Sequence, residues 1–175
     1  MKTALLSNKL AGLLIVGLIV AGCRVSNPIA VRVVNVTATK DVCGKSVEIH
    51  LVGVNQSQKT QWDTESMTKY WEPENQLRKS AKQYTHVIRF GQGLPCELSL
   101  GKKDPIRREW KRRKAEYLFI LADLPGIFED KDGNADARRL RIPALTSECW
   151  PFLGSKINIS IESSGIVCLT PHKCE

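Results

Sequence analysis

Short runs of alternating apolar and polar residues, each bounded by turn-forming residues, commit most of this chain to β-structure. The clearest spans residues 46–54 (SVEIHLVGV), where Val47, Ile49 and Leu51 alternate with Glu48 and His50. A period of two places the first set on a buried face and the second on a polar one. Residues 29–39 (IAVRVVNVTAT) are rich in valine and threonine, whose branched side chains suit a pleated surface. Residues 41–45, with Gly44, supply a turn. Residues 84–90 and 94–100 read as strands joined by Gly91-Gln92-Gly93, which predicts a hairpin. Residues 116–124 (EYLFILADL) are apolar enough for a central strand, and 138–142 read as a short one. Ile157, Ile159 and Ile161 alternate with Asn158 and Ser160 over 156–162, and Ser163-Ser164-Gly165 turns that strand back into 166–169.

Two stretches break the β pattern. Residues 55–83 are mostly polar, with Trp62, Met67, Tyr70, Trp71 and Leu77 irregularly spaced. Asp63 is placed to cap a short helix through Trp71, Pro73 stops it, and 74–82 allow another helical stretch. Asp104-Pro105 reads as a cap followed by a first-turn proline, opening a basic helix to about Ala115 with Ile106 and Trp110 as its apolar stripe. Seven or eight short strands with turn signals between them predict a mainly β, immunoglobulin-like β-sandwich with one or two helical inserts.

The N-terminus is of another kind. Lys2 and Lys9 precede an apolar run ending Leu18-Ile19-Val20-Ala21-Gly22-Cys23. The apolar stretch 11–22 is shorter than the ~20 residues a bilayer core demands, so it reads as a signal peptide. The small-small-Cys ending resembles the bacterial lipobox, which implies cleavage before Cys23 and acylation of that residue. Three regions are then expected: a signal peptide (1–22), a lipidated tether (23–28) and one sandwich domain (29–175). The resemblance also implies that acyl chains on Cys23 hold the protein to a membrane. With Arg24 in place of the inner-membrane retention aspartate, the outer membrane facing the periplasm is the expected location.

Export sets the redox context. Besides Cys23 there are Cys43, Cys96, Cys149, Cys168 and Cys174, an odd number of disulfide candidates in an oxidising compartment. The expected pairing is Cys96–Cys149 with Cys43 joined to one of the C-terminal pair, although spacing alone selects none. A zinc site lacks the Cys-x-x-Cys spacing and a second nearby histidine.

The chain carries a formal net charge of +8, concentrated in one element. Between 102 and 114 lie Lys102, Lys103, Arg107, Arg108, Lys111, Arg112, Arg113 and Lys114 against Asp104 and Glu109. That basic surface would suit anionic head groups, an acidic protein or plain solvent. Nucleic acid fits the charge but not the compartment, so no nucleic-acid partner is expected. Asp130, Asp132, Asn134 and Asp136 alternate as calcium ligands can, but Gly133 falls fourth rather than sixth and Arg141 stands where the bidentate glutamate belongs. A solvated loop is expected there, with no metal. No nucleophile elbow, zincin motif or phosphate loop is present, so neither catalytic residues nor a cofactor are expected.

The order of parts (lipobox, valine-rich strand, short loop, Val-x-Ile-x-Leu strand, aromatic helical excursion, strand through Ala122-Asp123, Arg-rich strand, closing hairpin over 157–169) resembles the TssJ/SciN family. These are the outer-membrane lipoproteins of the type VI secretion apparatus. The resemblance is one of layout over residues 29–169. It implies a transthyretin-like sandwich that binds the periplasmic domain of an inner-membrane secretion subunit. It also implies that Lys40, Asp41, Val42, Cys43, Gly44 and Lys45 form the partner-binding loop. That loop lacks the Asn-Pro of many relatives and has Cys43 instead, which a disulfide could pin. The competing expectation is a periplasmic module binding a small ligand or cell-wall component in an aromatic pocket around Trp62, Tyr70 and Trp71.

Overall fold

The computed structural model describes residues 33–142, 149–150 and 156–172. The expectations for the signal peptide, Cys23, the tether and Cys174 lie outside them. Eight strands form: β1 (Val33–Ala38), β2 (Val47–Val54), β3 (Thr85–Phe90), β4 (Glu97–Leu100), β5 (Tyr117–Ala122), β6 (Arg139–Ile142), β7 (Lys156–Glu162) and β8 (Gly165–Cys168). They build two four-stranded sheets, ordered β4-β1-β7-β8 and β3-β2-β5-β6. The second sheet is antiparallel throughout, whereas the first contains the parallel pair β1–β7 in register from Val33↔Lys156 to Ala38↔Ile161. The mainly β sandwich with helical inserts is as the sequence pattern predicts.

One pairing is not. Residues 84–100 form no hairpin, because β3 belongs to one sheet and β4 to the other. Along β2, six residues pair with β3 and six with β5, while β4 finds its ladder on β1 through Val34↔Leu100 to Thr37↔Glu97. The glycines at 91 and 93 serve a crossing between layers, a use that local turn chemistry does not distinguish from a hairpin.

The two sheets treat their outer faces differently. On the first, Asn35 donates to Glu97 (2.9 Å) and accepts from Ser99 (2.7 Å), a polar cross-strand ladder open to solvent. On the second, β2 is buried along nearly its whole length, including His50 at 5 % exposure. The alternation that predicts a polar face for His50 is therefore overruled by what covers it. Three short helices do so: α1 (Lys59–Thr64), α2 (Met67–Tyr70) and α3 (Gln76–Ala81). Trp62, Met67 and Tyr70 have no exposed surface, and the Trp62 ring lies 5.9 Å from that of Phe119 on β5. Each such side chain contributes about 1.5–3 kcal/mol by burial. Asp63 is not the cap expected of it. Ser66 and Asn75 accept from the amides of Lys69 and Arg78 and start α2 and α3, while Asp63 sits inside α1, paired with Lys59 and Arg141.

A fourth helix, α4 (Ile106–Arg112), links β4 to β5. The amide of Ile106 donates to Asp104 Oδ1 at 3.0 Å, so the aspartate opens this helix as predicted. Trp110 is fully buried and its Nε1 donates to the Tyr84 carbonyl at 2.7 Å. Its ring fills the space over Gly53, where a Cβ would stand 2.5 Å from Trp110 Cγ. Gly53→Ala should therefore cost about 1–3 kcal/mol through overpacking, read as a melting point lower by several degrees. An unchanged melting point would mean that the indole does not sit against β2.

Candidate partner-binding site

Strand direction sorts the connections into two poles. At one, the loop pole, β1 ends and β2 begins: Ala38 donates to the Cys96 carbonyl (2.8 Å), Thr39 to Ile161 (2.9 Å) and Asp123 to Glu48 (2.9 Å). At the other, the tether pole, Val33 starts β1 beside Lys156, Leu100 ends β4 beside Val34, and Glu116 donates to Val54 at 2.9 Å. Helix α4 spans this second pole from one sheet to the other.

The loop named by the family resemblance stands at the loop pole. Cys43 is disulfide-bonded to Cys96, with 5.4 Å between their Cα atoms. This corrects the expected Cys96–Cys149 pairing. The loop over 39–46 brings Cys43 to the start of β4, which a hairpin reading of 84–100 would have placed in the wrong sheet. The bridge closes 53 residues of chain, for which the chain-entropy model gives about 4 kcal/mol. Cys149 is also disulfide-bonded, its partner lying outside the described residues, and Cys168 is a free, half-buried thiol whose pKa burial raises.

Val42 is fully buried beneath the loop, and Cys43 is half-buried. Lys40, Asp41, Gly44 and Lys45 remain exposed. Gly44 adopts φ 90°, the left-handed conformation that favours glycine. Asp41 accepts from the Ser163 amide at 3.3 Å, tying the loop to the β7–β8 turn. Hydrogen bonds from Ser163 and Thr39 hold the Asp41 carboxyl down to about 2. The result is a short, pre-ordered protrusion. Two apolar side chains in other connections are exposed, Leu94 in the 91–96 crossing and Ile127 four residues beyond Asp123.

The basic element is only partly the surface the sequence suggests. Lys102, Lys103, Arg108, Lys111, Arg112 and Lys114 are exposed, but Arg107 is 8 % exposed and Arg113 stacks 3.7 Å above the Tyr84 ring. Both lie on the Trp110 side of α4, where long cationic stems cover apolar surface.

The histidines carry the arrangement that most resembles chemistry. Glu48 Oε1 lies 2.8 Å from His50 Nε2, and His50 Nδ1 lies 2.8 Å from the Tyr70 hydroxyl. With Glu48 ionised, Nε2 donates and Nδ1 accepts from Tyr70, a carboxylate–imidazole–hydroxyl chain. Burial pushes the Tyr70 pKa well up and pulls that of His50 down. Tyr70 is fully buried, so its hydroxyl meets no substrate; the chain braces α2 against β2. A cleft of about 280 Å³ beside it is lined by Glu48, His50, Arg78 and Lys79 among others. The aromatic pocket that would favour ligand binding does not form. Trp62 and Tyr70 belong to the core, and Trp71 lies against His50 at 4.8 Å between centroids.

Sequence reasoning missed the role of Arg138 and Arg139 at the start of β6. Arg139, 1 % exposed, donates to the carbonyls of Gly133 (2.9 Å), Trp62 (2.9 Å) and Glu65 (2.8 Å), and to that of Lys131. Arg138 binds Asp136, fully buried, and Asp130. Burial opposes ionisation of Asp130, but Ser66, Thr68 and Arg138 outweigh it and hold its pKa well below the usual range. The 128–137 segment is exposed over most of its length, as expected, but it is anchored through the buried Asp136 and the arginines that hold it. Among the described residues no group of three or more His, Cys, Asp or Glu is placed to hold a metal ion.

No protein-family model and no curated protein matches the chain. Among solved structures it is similar to one described as the C-terminal domain of the type VI secretion protein TssM from EAEC. The TM-score is 0.51 at 9 % identity, over 79 % of this chain and 99 % of that one. The fold is one found in the type VI secretion apparatus. Two more structures overlap below the level at which a shared fold is read. They are the membrane-bound type VI secretion component Lip of Serratia marcescens (0.48, 12 % identity, 79 % and 96 % covered) and the lipoprotein TssJ1 of Pseudomonas aeruginosa (0.45, 8 %, 82 % and 95 %).

The buried imidazole makes stability depend on pH. The pKa of His50 lies below 6.5 in the folded chain, and that of His86 is lowered in the same direction. The unfolded chain therefore binds more protons as pH falls through about 6.5, so stability is complete above that value and declines below it. Thermal melts between about pH 7.5 and 5.5 should show a falling midpoint, with a shallower fall in His50→Gln. An unaltered slope in that variant would remove His50 as the cause.

Proposed function

We propose that this chain is a membrane-anchored lipoprotein of a type VI secretion complex, held at the outer membrane by acyl chains on Cys23. Through the 40–45 loop it would dock the periplasmic domain of an inner-membrane subunit. The observation that carries the reading is the loop itself. It is short, clamped by the Cys43–Cys96 bridge, tied to the β7–β8 turn through Asp41, and set at the pole farthest from Val33, where the tether joins. A loop ordered in advance loses little freedom on binding, and an anchor that holds the domain in place raises the effective concentration of the contact. A modest interface then suffices. The similarity to a solved TssM structure agrees with the reading at the level of fold.

Lys40 and Lys45 are exposed, so their replacement leaves the core untouched. In Lys40→Glu/Lys45→Glu, affinity for the periplasmic domain of the cognate inner-membrane subunit should fall at least tenfold, about 1.4 kcal/mol, with an unchanged melting point. Titration calorimetry reads this directly. Equal affinity would exclude the loop as the contact, and no binding by the unmodified chain would exclude the partner.

A further inference from the structure

We propose that the tether pole of the sandwich rests on an anionic phospholipid surface, with α4 as its footing. This rests on the anchored reading above and extends it to how the domain stands. Val33 lies ten positions after Cys23, a reach of at most about 36 Å when fully extended. Val33 begins β1 at the pole that α4 spans. Anchored through Cys23, the domain has this pole as the one nearest in sequence to the acyl chains.

The charge there fits that surface. Lys102, Lys103, Arg108, Lys111, Arg112 and Lys114 are exposed, and Lys156, paired in register with Val33, adds a seventh cation. Arg108, Lys111 and Arg112 share one side of the helix by their spacing, opposite the Ile106–Trp110 stripe. Against these seven cations stand three acids, Asp104 at the start of the helix, Glu109 paired with Arg112 at 2.6 Å, and Glu116, so an excess of four positive charges remains. The loop pole carries no such excess: Lys40 and Lys45 stand beside Asp41 and Asp123. Cations near an anionic leaflet each bias occupancy about fivefold, within a Debye length of about 8 Å. An acidic protein could use the same side chains, but position favours lipid, because the chain leading from Cys23 enters the described domain at this pole.

Amine labelling of the acylated full chain, read by mass spectrometry, tests the footing on phosphatidylcholine vesicles with and without phosphatidylglycerol. Labelling of Lys102, Lys103, Lys111 and Lys114 should fall severalfold on the phosphatidylglycerol vesicles and recover in high salt, while Lys40 and Lys45 label equally on both. In Arg108→Gln/Lys111→Gln/Lys114→Gln, whose side chains are exposed, the protection of Lys102 and Lys103 should be lost. Equal labelling of the tether pole on both vesicles would overturn the proposal, as would protection of Lys40 and Lys45 instead. Flotation separates the two readings. A chain that floats with both vesicles but shows no protection loses the footing alone, whereas one that floats with neither loses the anchor as well.

Discussion

The β3-β2-β5-β6 sheet buries Val52, Phe119 and Leu121 on the face that does not meet the other sheet, alongside His50 and Arg139. Water is kept from that face by α1 and α2, which are too short to be stable by themselves. Arg139 makes them part of the fold. Its buried guanidinium binds carbonyls at the end of α1 and in the 131–133 turn at once, replacing the water those groups would otherwise need. Arg138 does the same for the neighbouring segment through Asp130 and Asp136. Remove that fixation and Trp62, Met67 and Tyr70 have no fixed seat on β2 and β5.

With one flank closed in this way, the ends of the sandwich are left for interaction. The crossings between sheets, β1 to β2 and β3 to β4, meet at one end and are welded by the Cys43–Cys96 bridge. The β4-to-β5 crossing carries α4 over the other. The architecture separates a neutral, pre-ordered loop from a cationic helix by the length of the strands. Val33, the first described residue, lies at the cationic end.

Much of this was legible in the sequence because it is local. The alternation at 156–162 and the Ser163-Ser164-Gly165 turn gave β7 and β8 directly, and the apolar run at 116–124 gave the central strand β5. Illegible parts depended on partners far away in the chain. His50 alternates as a polar-face residue and is buried only because Tyr70 and Trp71 fold back over it. Gly91-Gln92-Gly93 looks like a hairpin turn, yet β4 pairs with β1 in the other sheet. The cysteine pairing followed from that crossing and could not be read without it. Asp136 and Arg138 lie two apart in a polar stretch, with no signal that both are buried. In the candidate site, the exposed half of 40–45 was visible in the sequence; the clamp beneath it was not.

The central claim is that the two ends do different work, and hydrogen exchange of the acylated chain with and without the periplasmic domain of the proposed inner-membrane partner tests it most directly. The account predicts slowed exchange over 39–46 and at the 163–165 turn, with 101–116 unchanged by the partner. Slowed exchange confined to 101–116 would contradict it, because the partner would then occupy the end assigned here to the membrane.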